Sequence, residues 1–270
     1  RMAEIVKNFR TGVDTKWVSV TVFLAAALVI PQAVALEVHT RMQEVLLIAG
    51  LNSMLLVLAL VLLKRDGLSC RSIGLGKLSW IKGLLIFLGW WLAVTAADLV
   101  GRWVIGLAGF SFIYEATISW NPVVFLELTC AWLIVGFAEE IAFRGYLQNK
   151  LKAVTGKKWL GIGLAALIFG LWHIPASMIL RGSSLAGALP GALGLSLFSF
   201  LFLNLPYEWT GLLPFLCLFH GWSDFPILLT FDRPSPVGAA AGYVLLIVFA
   251  GAYGWLSRRK SLRQGAGNPS

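Results

Sequence analysis

Charged side chains are scarce in this chain: they make up 13% of its 270 residues, against 58% that are hydrophobic. Soluble domains carry about 25% charged residues, so the polar coat that water requires is missing. A mean hydropathy of +0.81 agrees. Cysteine is scarcer still. Cys70, Cys130 and Cys217 stand far apart with no CxxC among them, which excludes a disulfide framework and a thiolate zinc site. They read as two small apolar residues and one loop thiol. The chain has no HExxH, no long linker, no low-complexity tract and no clear internal repeat. A net charge of +9 raises the question of nucleic acid. The basic residues form no patch interleaved with aromatics, however, so nucleic acid is not an expected partner. They fall between hydrophobic runs, where membrane topology places them.

What is present is a series of apolar runs. A helix needs about 20 apolar residues to cross the hydrocarbon core, and eight stretches qualify: 17–36, 44–63, 83–100, 122–143, 159–180, 186–204, 210–230 and 237–256. The expected fold is an all-α integral membrane bundle of about eight transmembrane helices. Residues 1–257 form one transmembrane domain, and 258–270 form a polar cytoplasmic tail without fixed structure. Residues 1–35 also resemble a signal peptide ending at Ala33-Val34-Ala35, but are read here as the first helix. Trp17, Trp80, Trp159, Trp209 and Trp255 fall near span ends, as interfacial aromatics do. Small residues at helical spacing, such as Gly187/Gly191 and Gly238/Gly242, predict close helix packing.

Lysine and arginine then orient the bundle. One side receives the cations of segments 1–16, 64–82, 144–158 and 258–263, while the other receives only Arg41, Arg102, Arg181 and Arg233. The split is 18 against 4. The positive-inside rule puts both termini in the cytoplasm, most simply that of a prokaryotic plasma membrane.

An ionisable group inside a bilayer costs several kcal/mol, so each needs a reason to be there. The candidates are Asp98, Glu127, Glu139, Glu140, Arg144, His173, His220 and Asp224. His39, the third histidine, falls in a short outer loop and carries no expectation. Glu140 and Arg144 are four apart, on one helical face, and can neutralise each other. Glu139 points about 100° away and has no local cation. His220 and Asp224 are also four apart, so the carboxylate can orient or charge the imidazole, and Phe169 lies one turn before His173. At 1.5 Å per residue, His220 lies about 14 Å from Gly211, His173 about 21 Å from Trp159, and Glu139 about 16 Å from Lys150 if its helix runs that far. Convergence therefore demands that Arg144 be buried, with Glu140 as its partner.

A carboxylate and two histidines in a partly dry cavity suit hydrolysis by an activated water. The carboxylate takes the water's proton, one histidine holds the water, and another stabilises the tetrahedral oxyanion. Serine or cysteine chemistry is disfavoured, because neither residue has a base at useful spacing.

These residues form a recognisable series. Glu139-Glu140-Ile141-Ala142-Phe143-Arg144 matches EExxxR, Phe169 to His173 matches FxxxH, and His220 to Asp224 matches HxxxD/N. In this order, on separate apolar helices, they resemble the CPBP family of type II CAAX endopeptidases and of bacteriocin-processing or Abi-type membrane proteins. The resemblance implies an intramembrane glutamate endopeptidase with no metal or other cofactor and a cavity open to the cytoplasm. Its substrate would be a membrane-associated peptide, a prenylated CAAX tail or a leader peptide. It implies Glu139 as base with His173 assisting, His220 and Asp224 as the oxyanion site, and Glu140, Arg144 and Phe169 in support. Asp224 departs from the asparagine usual in eukaryotic-type members. An ionised aspartate cannot donate to an oxyanion, so it is either protonated or acts through His220. Rival readings are a zinc hydrolase using His173, His220 and a carboxylate, a non-catalytic immunity or scaffold protein of the same family, and a proton-coupled transporter. The last lacks the expected half-to-half symmetry.

Overall fold

A computed structural model describes residues 20, 21, 40–109 and 117–266, the last seven by backbone alone. Apart from Val20 and Thr21, the expected first span, 17–36, lies outside the described residues, as does His39. Among the described residues the chain is helical, and its one pairing outside helices is an isolated antiparallel bridge between Thr117 and Asp232. Six helices among the described residues are long and apolar enough to span. They are α1 (Arg41–Arg65), α2 (Lys77–Leu107), α3 (Pro122–Thr155), α4 (Lys158–Arg181), α5 (Leu185–Thr210) and α7 (Pro236–Ala266). The chain is an integral membrane protein. Leucines and valines such as Leu46, Val57, Leu85, Leu197 and Val244 face outward from the bundle, on surface that lipid covers and water would not tolerate.

The helix starts follow local chemistry. Thr40 accepts from Gln43 N while Gln43 Oε1 accepts from Thr40 N, forming a capping box at α1. Asn121 accepts from the amides of Val123 and Val124 ahead of Pro122, which needs no amide partner at the first helical position. The final helix runs on past Arg258, where the expected tail begins.

The expected span at 210–230 is corrected. Only Leu213–Asp224, here α6, is helical, and 12 residues are too few to cross the bilayer. Its apolarity reflects burial in protein instead of contact with lipid: Leu213 to Cys217 and Phe219 to Trp222 are all buried. The helices α2, α3, α5 and α7 surround it. After Asp224 the backbone is irregular, and irregular backbone at membrane depth must be satisfied by protein. Indole donors do this. Trp222 and Trp91 both donate to Ile227 O, at 2.9 and 2.6 Å, and Trp132 donates to Phe225 O at 3.1 Å. Thr95 Oγ1 accepts from Leu229 N and Asp98 Oδ1 from Ser235 N. Asp98, also paired with Arg102, is therefore a pin between α2 and the segment entering α7.

The small-residue expectation holds only in part. A Cβ on Gly242 would come within 2.6 Å of the Trp222 ring, so that glycine permits the α6–α7 contact, whereas Gly191 faces open space. A close approach of two backbones also joins α3 and α6. A Cβ on Gly221 would lie 2.6 Å from Trp132 Cα, and one on Gly136 would lie 2.8 Å from Gly221 N. This backbone-to-backbone seam sets His220 against the paired glutamates.

Candidate active site

Helix α3 departs from ideal geometry where the site is built. Cys130–Val135 and Glu140–Gln148 are π-helical, as is Phe200–Asn204 in α5. Such wide turns occur often at functional sites. The second one begins at Glu140, and Glu140 through Lys150 are all buried.

Glu140 and Arg144 are fully buried, with Arg144 Nη1 2.9 Å from Glu140 Oε1 as an ion pair that is not an aligned hydrogen bond. The same oxygen accepts from His220 Nδ1 at 2.7 Å. Helical spacing alone could not reveal this cross-helix bond, because it joins residues 80 positions apart. A carboxylate only accepts, so Nδ1 carries the proton and Nε2 turns to the cavity. There His220 Nε2 lies 3.6 Å from Glu139 Oε2 and 3.7 Å from Asp224 Oδ2. Both distances exceed a direct hydrogen bond. The close orienting partner of His220 is thus Glu140, with Asp224 at longer range from the last turn of α6.

Glu139 differs from its neighbour. It is 4% exposed and lines a cavity of about 460 Å³, and its Oε2 has no hydrogen-bond partner. His173 shares the cavity wall. Its Nδ1–H donates to Phe169 O at 2.8 Å, which leaves Nε2 as the free acceptor. Phe169 is the wedge between these groups. Its ring lies 4.9 Å from His173, 5.8 Å from His220 and 4.2 Å from the Arg144 guanidinium. A desolvated cation–π contact of this kind contributes about 2 kcal/mol.

Behind Arg144 runs a series of buried polar side chains that spacing arguments missed. Arg144 Nη2 donates to Ser199 Oγ at 2.6 Å, and Ser199 donates to Asn204 Oδ1 at 2.7 Å. Asn204 donates to Gln148 Oε1 at 2.8 Å, and Gln148 reaches Glu208 Oε2 at 3.5 Å. Lys152 closes the series on Glu208 at 2.6 Å. The sequence signal available was weak: Gln148, Asn149, Lys150 and Lys152 look like an ordinary loop-side turn. At the other end, Arg41 bridges Glu44 and Glu127 at the cavity mouth, at 2.5 and 2.6 Å, so Glu127 is a cavity-lining residue.

Among the described residues, no three His, Cys, Asp or Glu side chains converge as they would around a metal ion. Of the seven motif residues, Glu139, His173 and Asp224 line the cavity, and Glu140, Arg144, Phe169 and His220 lie directly behind it. His173 is bonded to Phe169 O and faces the ionisable members of the set across the cavity. No curated protein and no solved structure matches the chain. Residues 119–226, which run from just before α3 to just past α6 and contain all seven, match the family model for type II CAAX prenyl endopeptidase Rce1-like proteins. The matched segment carries the candidate site and is set in an integral membrane bundle.

Proposed function

We propose that the protein is an intramembrane endopeptidase that hydrolyses a peptide bond of a membrane-associated substrate through a water activated by Glu139. The observation that carries this reading is the asymmetry of the adjacent glutamates. Glu140 has one oxygen engaged by both Arg144 and His220, while Glu139 offers an unpartnered oxygen to the cavity. The bound oxygen of Glu140 is occupied by a guanidinium and an imidazole, whereas an oxygen free of hydrogen bonds can accept a proton from water in the cavity.

Water held between Glu139 and His173 Nε2 gives one proton to Glu139 as its oxygen bonds to the scissile carbonyl carbon. The carbonyl oxygen becomes an oxyanion, placed to accept from His220 Nε2–H when that ring is protonated. Asp224, 3.7 Å from Nε2, holds the charged ring in place. Collapse breaks the C–N bond, and the departing amine takes the proton from Glu139. Glu140 and Arg144 act by positioning: Glu140 fixes the His220 ring, and Arg144 neutralises Glu140.

The experiment is turnover of quenched peptides by purified protein, prenylated and matched unprenylated, for the native chain and Glu139→Gln. The native chain should cleave at least one substrate, and the variant should fall to background. Cleavage that survives Glu139→Gln sinks the mechanism. Failure of the folded native protein to cleave any peptide favours a non-catalytic scaffold.

A further inference from the structure

Among the described residues, the cavity runs to one end of the bundle. From Glu139, His173 and Asp224 its wall runs to Arg41, Glu44, Glu127 and Arg181. Towards the other end the site is closed by packing. Phe143, Arg144, Tyr146, Leu147, Gln148 and Asn149 have no exposure at all, and the polar series from Ser199 to Lys152 fills the space beyond them.

The two ends differ in charge, and contacts show which cations share an end. Lys150 pairs with Asp66, Lys152 and Lys158 pair with Glu208, and Lys82 and Arg259 flank one groove between α2 and α7. This gathers the basic segments 64–82, 150–158 and 258–259 at the closed end. The open end has Arg41 and Arg181 at the mouth, Arg233 over the ring of Phe225, which lines the cavity, and Arg102 bonded to Arg233 O. The positive-inside rule assigns the lysine-rich end to the cytoplasm.

We infer that the catalytic cavity opens on the non-cytoplasmic face, and that its substrate is an apolar, extended peptide segment presented from that side. This is opposite to the cytoplasmic opening that the family resemblance implies. It also disfavours prenylated CAAX tails, which are made and anchored at the cytoplasmic leaflet. The depth fits a peptide. Glu139 is 12 residues past Glu127 and His173 is eight before Arg181, so the site lies about 12–18 Å below the mouth at 1.5 Å per helical residue. An extended chain rises about 3.3 Å per residue, so about four to six residues must enter before a scissile carbonyl meets Glu139. Val45, Ile48, Leu51, Ala176 and Leu180 line the way in, so that stretch is apolar.

The hydrolytic role rests on the reading above; the orientation does not, and its test requires no activity. Ser177 lines the cavity, Leu185 is exposed beside the mouth and Cys70 is exposed at the lysine-rich end. Ser177→Cys and Leu185→Cys, each in a Cys70→Ser background, are compared with the native chain in intact spheroplasts under a membrane-impermeant maleimide. Leu185→Cys should label from outside with or without permeabilisation, Ser177→Cys should follow it, and Cys70 should label only after permeabilisation. Labelling of Leu185→Cys that requires permeabilisation, or of Cys70 without it, overturns the inference. An impermeant unprenylated apolar peptide added to sealed vesicles should be cut by right-side-out vesicles and spared by inverted ones. If labelling places the mouth outside and neither vesicle cleaves, the orientation stands and the peptidase reading fails.

Discussion

Replacing Glu140 and Glu139 separately by glutamine should have opposite consequences, although the two residues are adjacent. Arg144 is fully buried, and among the described residues its ion-pair partner is Glu140 at 2.9 Å. Removing one partner of a buried pair leaves an uncompensated charge and costs about 3–5 kcal/mol. The stacking on Phe169 and the bond to Ser199 remain, so Glu140→Gln should fall near the lower end. For a chain of this size, about 1 kcal/mol moves Tm by about 2–4 °C, so its Tm should drop by roughly 6–12 °C. Glutamine still accepts from His220 Nδ1, and some turnover should survive. Glu139→Gln removes a carboxylate whose Oε2 had no partner, so Tm should hold or rise while turnover falls by about 10²–10⁴-fold, the usual worth of a general base. Thermal melting in detergent beside peptide turnover reads both. The double variant Glu140→Gln/Arg144→Met should recover stability relative to Glu140→Gln, because the stranded cation is gone. A double variant less stable than Glu140→Gln would refute the ion-pair account. A folded, inactive Glu140→Gln beside an active Glu139→Gln would mean that the base is misassigned.

Asp224→Asn should keep substantial activity and Asp224→Ala should lose much more, because asparagine keeps a polar side chain of the same shape near His220 Nε2 and can itself donate; equal losses would make the negative charge itself the requirement. Prolonged strong chelation should leave activity intact, with no stoichiometric zinc in the purified protein by elemental analysis; loss restored only by zinc would establish the His173–His220 metal reading. Gly221→Ala should lower Tm and turnover together, since its Cβ would come within 2.6 Å of Trp132 Cα and force α3 from α6; an unchanged Tm would show that the seam yields freely.

Much of the site was legible in the sequence, because its chemistry is scarce against an apolar background. Glu139, Glu140, Arg144, His173, His220 and Asp224 stand out where polarity is costly, and helical spacing pairs Glu140 with Arg144. Spacing also ties His220 to Asp224, which does lie 3.7 Å from it, but it is silent on the closer bond to Glu140 on another helix. Local periodicity contains no information about such contacts. The short α6 was hidden for a related reason. An apolar run surrounded by protein and one surrounded by lipid have the same composition, and only the indole-capped segment after Asp224 tells them apart. Lys150 and Lys152 served as topology markers in the sequence, yet each is buried against a carboxylate. Lysine counts by charge in a topology argument and by geometry in a folded bundle.

The series from Arg144 through Ser199, Asn204 and Gln148 to Glu208 has a bearing on bioenergetics. A water-holding cavity that sinks deep into a membrane threatens to short-circuit the ion gradients the membrane maintains. Here the floor is filled with side chains whose polar atoms are bonded to one another, so no water thread is needed to solvate them. Two of the links are carboxamides, which do not readily pass a proton by exchanging donor and acceptor roles, as a hydroxyl or water chain does. On the proposed mechanism, protons taken up by Glu139 return to the compartment the cavity faces, and this floor keeps the bundle from becoming a proton leak.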